Sequence, residues 1–261
     1  MADPLTLLAL ALLWPLFPAS VLFNALVDRL YFPPLRALVC GAWPLAGALL
    51  MPAAGAPQVL ADLPVRLPAS LPLALALCTA LFYAWRSLTV SDLSRWATMI
   101  CTSALALLWL PWWAGASHAD LAVAALVFGA AGAMLHVMAH ALCRRFGSDY
   151  LGRGRLGAAH PRLAAMLAVT VLAALCAPPF PGFFGMLFVT ARVPWWAAAG
   201  AGAVWCLWSW SGALVWQRAL FGAPVAGAHG RDLAAATCLL AGVPALLIAI
   251  ATYAWSTTWM R

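Results

Sequence analysis

The sequence predicts an all-α integral membrane protein of about eight transmembrane helices, one of them broken by a proline cluster. Three observations carry this. Of 261 residues, 66% are hydrophobic and only 8% are charged, whereas a soluble domain is roughly 25% charged. Apolar stretches of about 20 residues, enough to cross a bilayer, recur along the whole chain. The charges collect between those stretches, mostly as Arg.

Spans are predicted at residues 5–27, 35–51, 71–85, 93–113, 121–143, 163–188, 195–216 and 233–253. The first begins directly after Met1-Ala2-Asp3-Pro4 with no basic segment, which reads as a transmembrane helix and not as a cleaved signal peptide. The third is short, and Pro68 with the weakly polar residues before it can extend it. The sixth contains Pro178, Pro179, Phe180, Pro181 and Gly182. Each proline removes a backbone donor and clashes with the preceding turn, so this span is a broken helix. Lipid does not satisfy freed carbonyls, so the break is expected to face protein or a hydrated cavity.

Alternating the loops between two sides puts Arg29, Arg36, Arg86, Arg95, Arg144, Arg145, Arg153, Arg155, Arg162, Arg218 and Arg231 together. Arg66, Arg192 and Arg261 fall on the other side. The first side is expected to be cytoplasmic and both termini external, in a bacterial inner membrane. Trp112, Trp113, Trp195, Trp196, Trp255 and Trp259 near span ends suit an interfacial belt. Trp205, Trp208 and Trp210 lie mid-span and are expected to pack against other helices.

The net charge of +7 comes from 14 Arg against 7 Asp, with no Lys and no Glu. Because the Arg residues sit at helix ends, nucleic acid is not an expected partner; lipid and other membrane subunits are. The seven cysteines, Cys40, Cys78, Cys101, Cys143, Cys176, Cys206 and Cys238, stand singly in apolar runs. Disulfide, zinc and iron–sulfur readings find no pattern to rest on, and inert buried thiols are expected. No glycine-rich nucleotide motif or ligand set points to a cofactor or metal.

Ionisable side chains inside spans are the functional candidates. His136 and His140 are four residues apart and share a helix face, which Arg144 continues. Histidine titrates near neutral pH and can pass protons; equally, the pair could donate to carbonyls and hold helices together. Asp92 opens the fourth span in Asp92-Leu93-Ser94-Arg95, where it is expected to cap the helix. The polar segment 144–162 reads as a cytoplasmic loop, either simply solvated or meeting headgroups or a soluble partner.

Together these motifs resemble the antiporter-like membrane subunits of respiratory complex I. That family also includes subunits of cation/proton antiporters, membrane-bound hydrogenases and inorganic carbon pumps. Its Asp-Ile/Leu-Lys-Arg element is matched by Asp92-Leu93-Ser94-Arg95. Its His-x-x-x-His-Ala-x-x-Lys helix is matched by His136-Val137-Met138-Ala139-His140-Ala141-Leu142-Cys143-Arg144. A loop follows as Leu156-Gly157-Ala158-Ala159-His160-Pro161-Arg162, then the broken helix as Pro178-Pro179-Phe180-Pro181-Gly182-Phe183-Phe184. Arg218-Ala219-Leu220-Phe221-Gly222 completes the set.

The resemblance implies a single membrane domain with residues 91–224 as its antiporter-like core, 1–90 supplying preceding helices and 225–261 the last. It also exposes departures. Family members are about twice as long, with roughly fourteen helices in inverted repeats. The lysine after the His pair is Arg144 here, and the charged residue after the broken helix is replaced by Gly185-Met186-Leu187-Phe188. The expected function is therefore a short antiporter-like subunit of a larger complex that couples proton or cation movement to redox chemistry or transport. His136 and His140 are its relay candidates, and Arg144, Asp92 and Arg95 supply supporting charge. A structural subunit without proton traffic and a subunit of an inorganic carbon pump are the alternatives. Arg stays protonated, with a pKa above about 12, so a chain lacking Lys and Glu is not expected to pump by itself.

Overall fold

The computed structural model describes residues 11–30, 32–50, 70–153, 156, 160–221 and 232–259. The described helices are α1 (Ala19–Arg29), α2 (Pro33–Leu50), α3 (Leu71–Ser87), α4 (Leu93–Leu107), α5 (Trp109–Trp113), α6 (His118–Phe146), α7 (Pro161–Ala174), α8 (Pro181–Ala191), α9 (Trp195–Leu220) and α10 (Ala235–Trp259). The segments Leu93–Trp113, α6 and α9 are each long and apolar enough to cross a membrane; α3, α7, α8 and most of α2 are shorter apolar helices. Arg66, Arg155, Arg231, Arg261 and the loop residues Gly157, Ala158 and Ala159 lie outside the described residues.

The α4–α5 segment is the core, 83% buried along its most apolar stretch. It touches α3, α6 and α9, while α2 lies along α6, and α8 lies between α6, α9 and α10. The segment bends at Leu108, just before Pro111, whose ring opposes the Leu107 carbonyl. Small residues let α2 and α6 approach backbone to backbone. A Cβ at Gly129 would meet the Gly41 oxygen at 2.9 Å and the Cys40 oxygen at 3.0 Å. Such seams replace the hydrophobic drive that lipid cannot supply.

The sixth span breaks where expected, with α7 ending at Ala174 and α8 starting at Pro181. Pro178, Pro179 and Pro181 leave the carbonyls of Ala174, Leu175 and Ala177 without their helical amide partners. Each finds another donor: the Cys176 thiol at 3.8 Å, the Trp205 indole at 2.8 Å and the Phe180 amide at 2.9 Å. Gly182 is required here, since a Cβ would lie 2.7 Å from Cys176 Sγ and 3.1 Å from the Ala173 oxygen. Gly182 and Cys176 are buried, but Pro178 and Pro179 are exposed on this chain. Because donors within the chain satisfy these carbonyls, the break does not depend on water.

A second interruption was not predicted. The first span does not run unbroken through 5–27: Pro15 and Pro18 turn the chain before α1. Pro18 frees the Trp14 carbonyl, which accepts from the Trp109 indole at 2.8 Å, and the Leu12 carbonyl accepts from the Trp43 indole at 3.2 Å. The Phe17 amide is taken by Thr79 Oγ1 at 3.1 Å.

Trp205→Phe and Trp109→Phe should therefore each cost about 1–3 kcal/mol, because a carbonyl in an apolar surround loses its donor. Trp210→Phe, at an exposed position, should stay within about 0.5 kcal/mol. Unfolding of the three variants in mild detergent measures the contrast.

Candidate functional site

Helix α6 carries the His pair from a buried level to a more exposed one. His136 is 1% exposed, His140 is partly buried, and Arg144 is exposed near the end of the helix. Gly147, with φ of 75°, then ends the helix in the left-handed conformation, which glycine adopts without a Cβ clash. Arg144 thus lies at the surface.

Neither ring nitrogen of His136 has a hydrogen-bond partner among the described residues. A histidine serving as helix glue donates to a carbonyl; among the described residues this one has no such partner. Its neighbour is the Cys40 thiol of α2, which lies beside the ring without reaching hydrogen-bond geometry. One turn earlier, Gly132 leaves room for Cys101 of α4, whose sulfur a Cβ there would meet at 3.0 Å. Gly185, just beyond the break, packs on Val127 and Phe128. Since α6 and α8 run antiparallel, the break falls at roughly the depth of His136.

Asp92 does not do what its position suggested. It occupies the N-cap place of α4 but its side chain accepts no capping hydrogen bond; instead it pairs with Arg95 at 3.8 Å on the surface. Exposed pairs of this kind contribute little. The cap comes from Asp149, whose carboxylate accepts from the Ser94 amide at 2.7 Å. Backbone bonds from Leu93 to Asp149 (3.1 Å) and from Leu151 to Ser91 (2.9 Å) strap the loop after α6 across the start of α4. Arg218 donates to the Val90 carbonyl at 2.9 Å and ties α9 to the same end.

The start of α7 is capped from a distance as well. Asp232, before α10, accepts from the Arg162 amide at 2.8 Å and the Leu163 amide at 3.2 Å. Partial desolvation opposes its charge. The amides of Arg162, Leu233 and Leu163, with His160 nearby, outweigh this and hold the carboxyl below its ordinary pKa. His160 is buried against the Phe146 ring, 5.4 Å between centroids.

At the opposite end Asp120 joins three elements. Its carboxylate accepts from the Ser117 hydroxyl at 2.8 Å and from the Trp255 indole of α10 at 2.8 Å. It also lies 4.0 Å from Arg192 at the end of α8, whose guanidinium sits over Phe188. Among the described residues no group of three His, Cys or Asp side chains is arranged to hold a metal ion. Cys40, Cys101, Asp149 and Asp232 were not singled out from sequence: a lone Cys or Asp carries no local signal of a partner tens of residues away.

This arrangement is an all-α membrane fold, shared with chains of larger membrane complexes. Neither a protein-family model nor a curated protein matches the sequence. Solved structures do match in fold. A chain of respiratory complex I from Thermus thermophilus with bound NADH aligns with a TM-score of 0.71 and 23% identity, over 94% of this chain and 53% of that one. A chain of the Mrp complex from Dietzia sp. DQ12-45-1b gives 0.69 and 18%, over 84% and 42%. A chain of the membrane-bound sulfane sulfur reductase, an archaeal respiratory membrane complex, gives 0.73 and 15%, over 95% and 52%. At these identities the likeness is one of fold, and the chain spans about half the length of the chains it matches.

Asp149→Ala should destabilise the protein by about 1 kcal/mol through loss of the α4 cap, whereas Asp92→Ala should cost under about 0.5 kcal/mol; chemical unfolding of both variants in detergent separates them. For Asp232, a folded pKa below the unfolded one means stabilisation present above the ordinary carboxylate value of about 3.9 and lost as pH falls through the lowered value. Asp232→Asn should flatten that acid limb of a stability-versus-pH curve.

Proposed function

We propose that this chain is a small antiporter-like subunit of a multisubunit membrane complex that couples proton or cation movement to redox chemistry or transport. His136 and His140 are its proton-relay groups. The observation that carries this is His136 itself, a titratable ring buried in a membrane helix, with neither nitrogen hydrogen-bonded among the described residues. Protonating it breaks no hydrogen bond, and an unpaired buried polar group is retained against a real energetic cost. His140, one turn nearer the Arg-rich end and partly exposed, is placed to exchange protons with water or a partner's residues. Asp92 and Arg95, paired at that end, and the exposed Arg144 supply local positive and negative charge. Residues 178–182 border the path at similar depth, where the exposed Pro178 and Pro179 meet a neighbouring subunit.

A second reading is favoured by one feature. The position of the family's lysine is an exposed Arg that cannot release a proton, which suits a subunit kept for docking alone. Two assays separate the readings. In proteoliposomes the isolated chain should show no cation-driven proton exchange. In the intact complex, His136→Ala with His140→Ala should lower coupling at least about tenfold, on the scale of losing a positioned proton-transfer group. Unchanged coupling with normal assembly establishes the docking reading.

The Arg-rich end is assigned to the cytoplasm. Arg29, Arg36, Arg86, Arg95, Arg144, Arg145, Arg153, Arg162 and Arg218 all fall at the loops of one end, and only Arg192 among the described arginines at the other. Both termini are then external, and any soluble partner meets the Arg-rich end. On a cysteine-free background, Ala114→Cys should react with an impermeant maleimide from outside intact cells. Thr89→Cys should react only after permeabilisation; the reverse pattern overturns the orientation.

A further inference from the structure

Cys40, Cys101 and His136 come from three helices, α2, α4 and α6; the two cysteines meet where Gly132 leaves room, one turn of α6 before His136. All three are at least 99% buried. Cys101 Sγ lies 3.0 Å, and Cys40 Cβ 3.8 Å, from the one point where a Gly132 Cβ would stand, and both are free thiols. The His136 imidazole has no hydrogen-bond partner at either nitrogen among the described residues. Isolated buried thiols are inert, but a thiol becomes a nucleophile when a base stands next to it and a second thiol can trap the product.

We propose that Cys40 and Cys101 form a peroxide-oxidised dithiol, with His136 as the base that takes the proton from Cys40. The oxidant is a peroxide, hydrogen peroxide being small and neutral enough to enter an apolar interior. Cys40 gives its proton to a ring nitrogen of His136, and its thiolate attacks one peroxide oxygen. The O–O bond breaks, and the leaving hydroxide takes the proton back from the imidazolium as water. Cys40 is now a sulfenic acid. The Cys101 sulfur attacks the Cys40 sulfur, the S–O bond breaks, and a second water leaves with the Cys101 proton. The two thiols lose two electrons, and the peroxide gains them. A small dithiol restores both thiols by exchange. The bridge ties α2 to α4 beside His136 and removes the thiol next to the ring. Its effect on proton movement rests on the relay reading above; the thiol chemistry does not.

The test uses the full chain in lipid nanodiscs treated with hydrogen peroxide, alkylated, digested without reduction and analysed by mass spectrometry. The expected product is an intramolecular Cys40–Cys101 disulfide, formed before the exposed Cys78, Cys143 and Cys206 are oxidised and reversed by dithiothreitol. In Cys101→Ser, a cyclic 1,3-diketone should trap Cys40 as its sulfenic acid; in Cys40→Ser it should not label Cys101. His136→Gln and His136→Phe should slow the disulfide about tenfold or more. Oxidation of the exposed thiols with the buried pair still reduced overturns the proposal, as does an unchanged rate in a folded His136 variant. If neither His136 variant folds, the Cys101→Ser trap decides: an unlabelled Cys40 overturns it. None of these measurements reads ion movement, so a failed relay assay leaves this result standing, and a reduced pair leaves the relay untouched.

Discussion

Everything in this structure answers to one constraint: inside an apolar solvent, a backbone carbonyl that loses its amide partner must find another donor in the same protein. Each such group left alone in hydrocarbon costs several kcal/mol. With 19 prolines in 261 residues, the chain creates these orphans repeatedly. It answers at several of them with an indole N–H, a donor on a large apolar body that tolerates lipid and core alike. Trp109 serves Trp14, Trp43 serves Leu12 and Trp205 serves Leu175. Trp14 in turn donates to the Pro44 carbonyl inside α2 at 3.0 Å. The solution is not universal, since the buried indoles of Trp216 and Trp259 have no partner among the described residues.

The same economy governs the helix ends, but there the donors are amides and the acceptors are distant carboxylates. Asp149 caps α4 from the loop after α6, and Asp232 caps α7 from the approach to α10. Asp120 joins its own Ser117 to Trp255 and Arg192. With only seven acidic residues in the chain, three are thus spent on holding helices to one another. His136 contrasts with all of them. It is buried, and neither ring nitrogen has a partner among the described residues.

The spans, the sixth-span break and the lopsided arginines were legible because each is a local property: apolar length, proline chemistry and charge position. The His pair was legible through helical spacing. What could not be read is pairwise and distant. Nothing near Asp92 says that Asp149, 57 positions later, takes its capping role. Nothing around Cys40 or Cys101 announces that three helices bring them to one histidine. The first-span interruption was legible in principle, because Pro15 and Pro18 stand in view; the apolar length of that span concealed it. Of the mid-span tryptophans, Trp205 and Trp208 pack against other helices as expected, whereas Trp210 is 61% exposed; that Trp205 serves a carbonyl needs the third dimension.

The glycine seam between α2 and α6 has a mechanical consequence. Backbone meets backbone there, with no long side chains to tilt or swap rotamers, so the two helices form one stiff keel. The other flank meets α6 by different means: Gly185 of α8 packs on the Val127 and Phe128 side chains, and the Asp120 carboxylate reaches Trp255 and Arg192. One side of α6 is thus held backbone to backbone and the other through side chains.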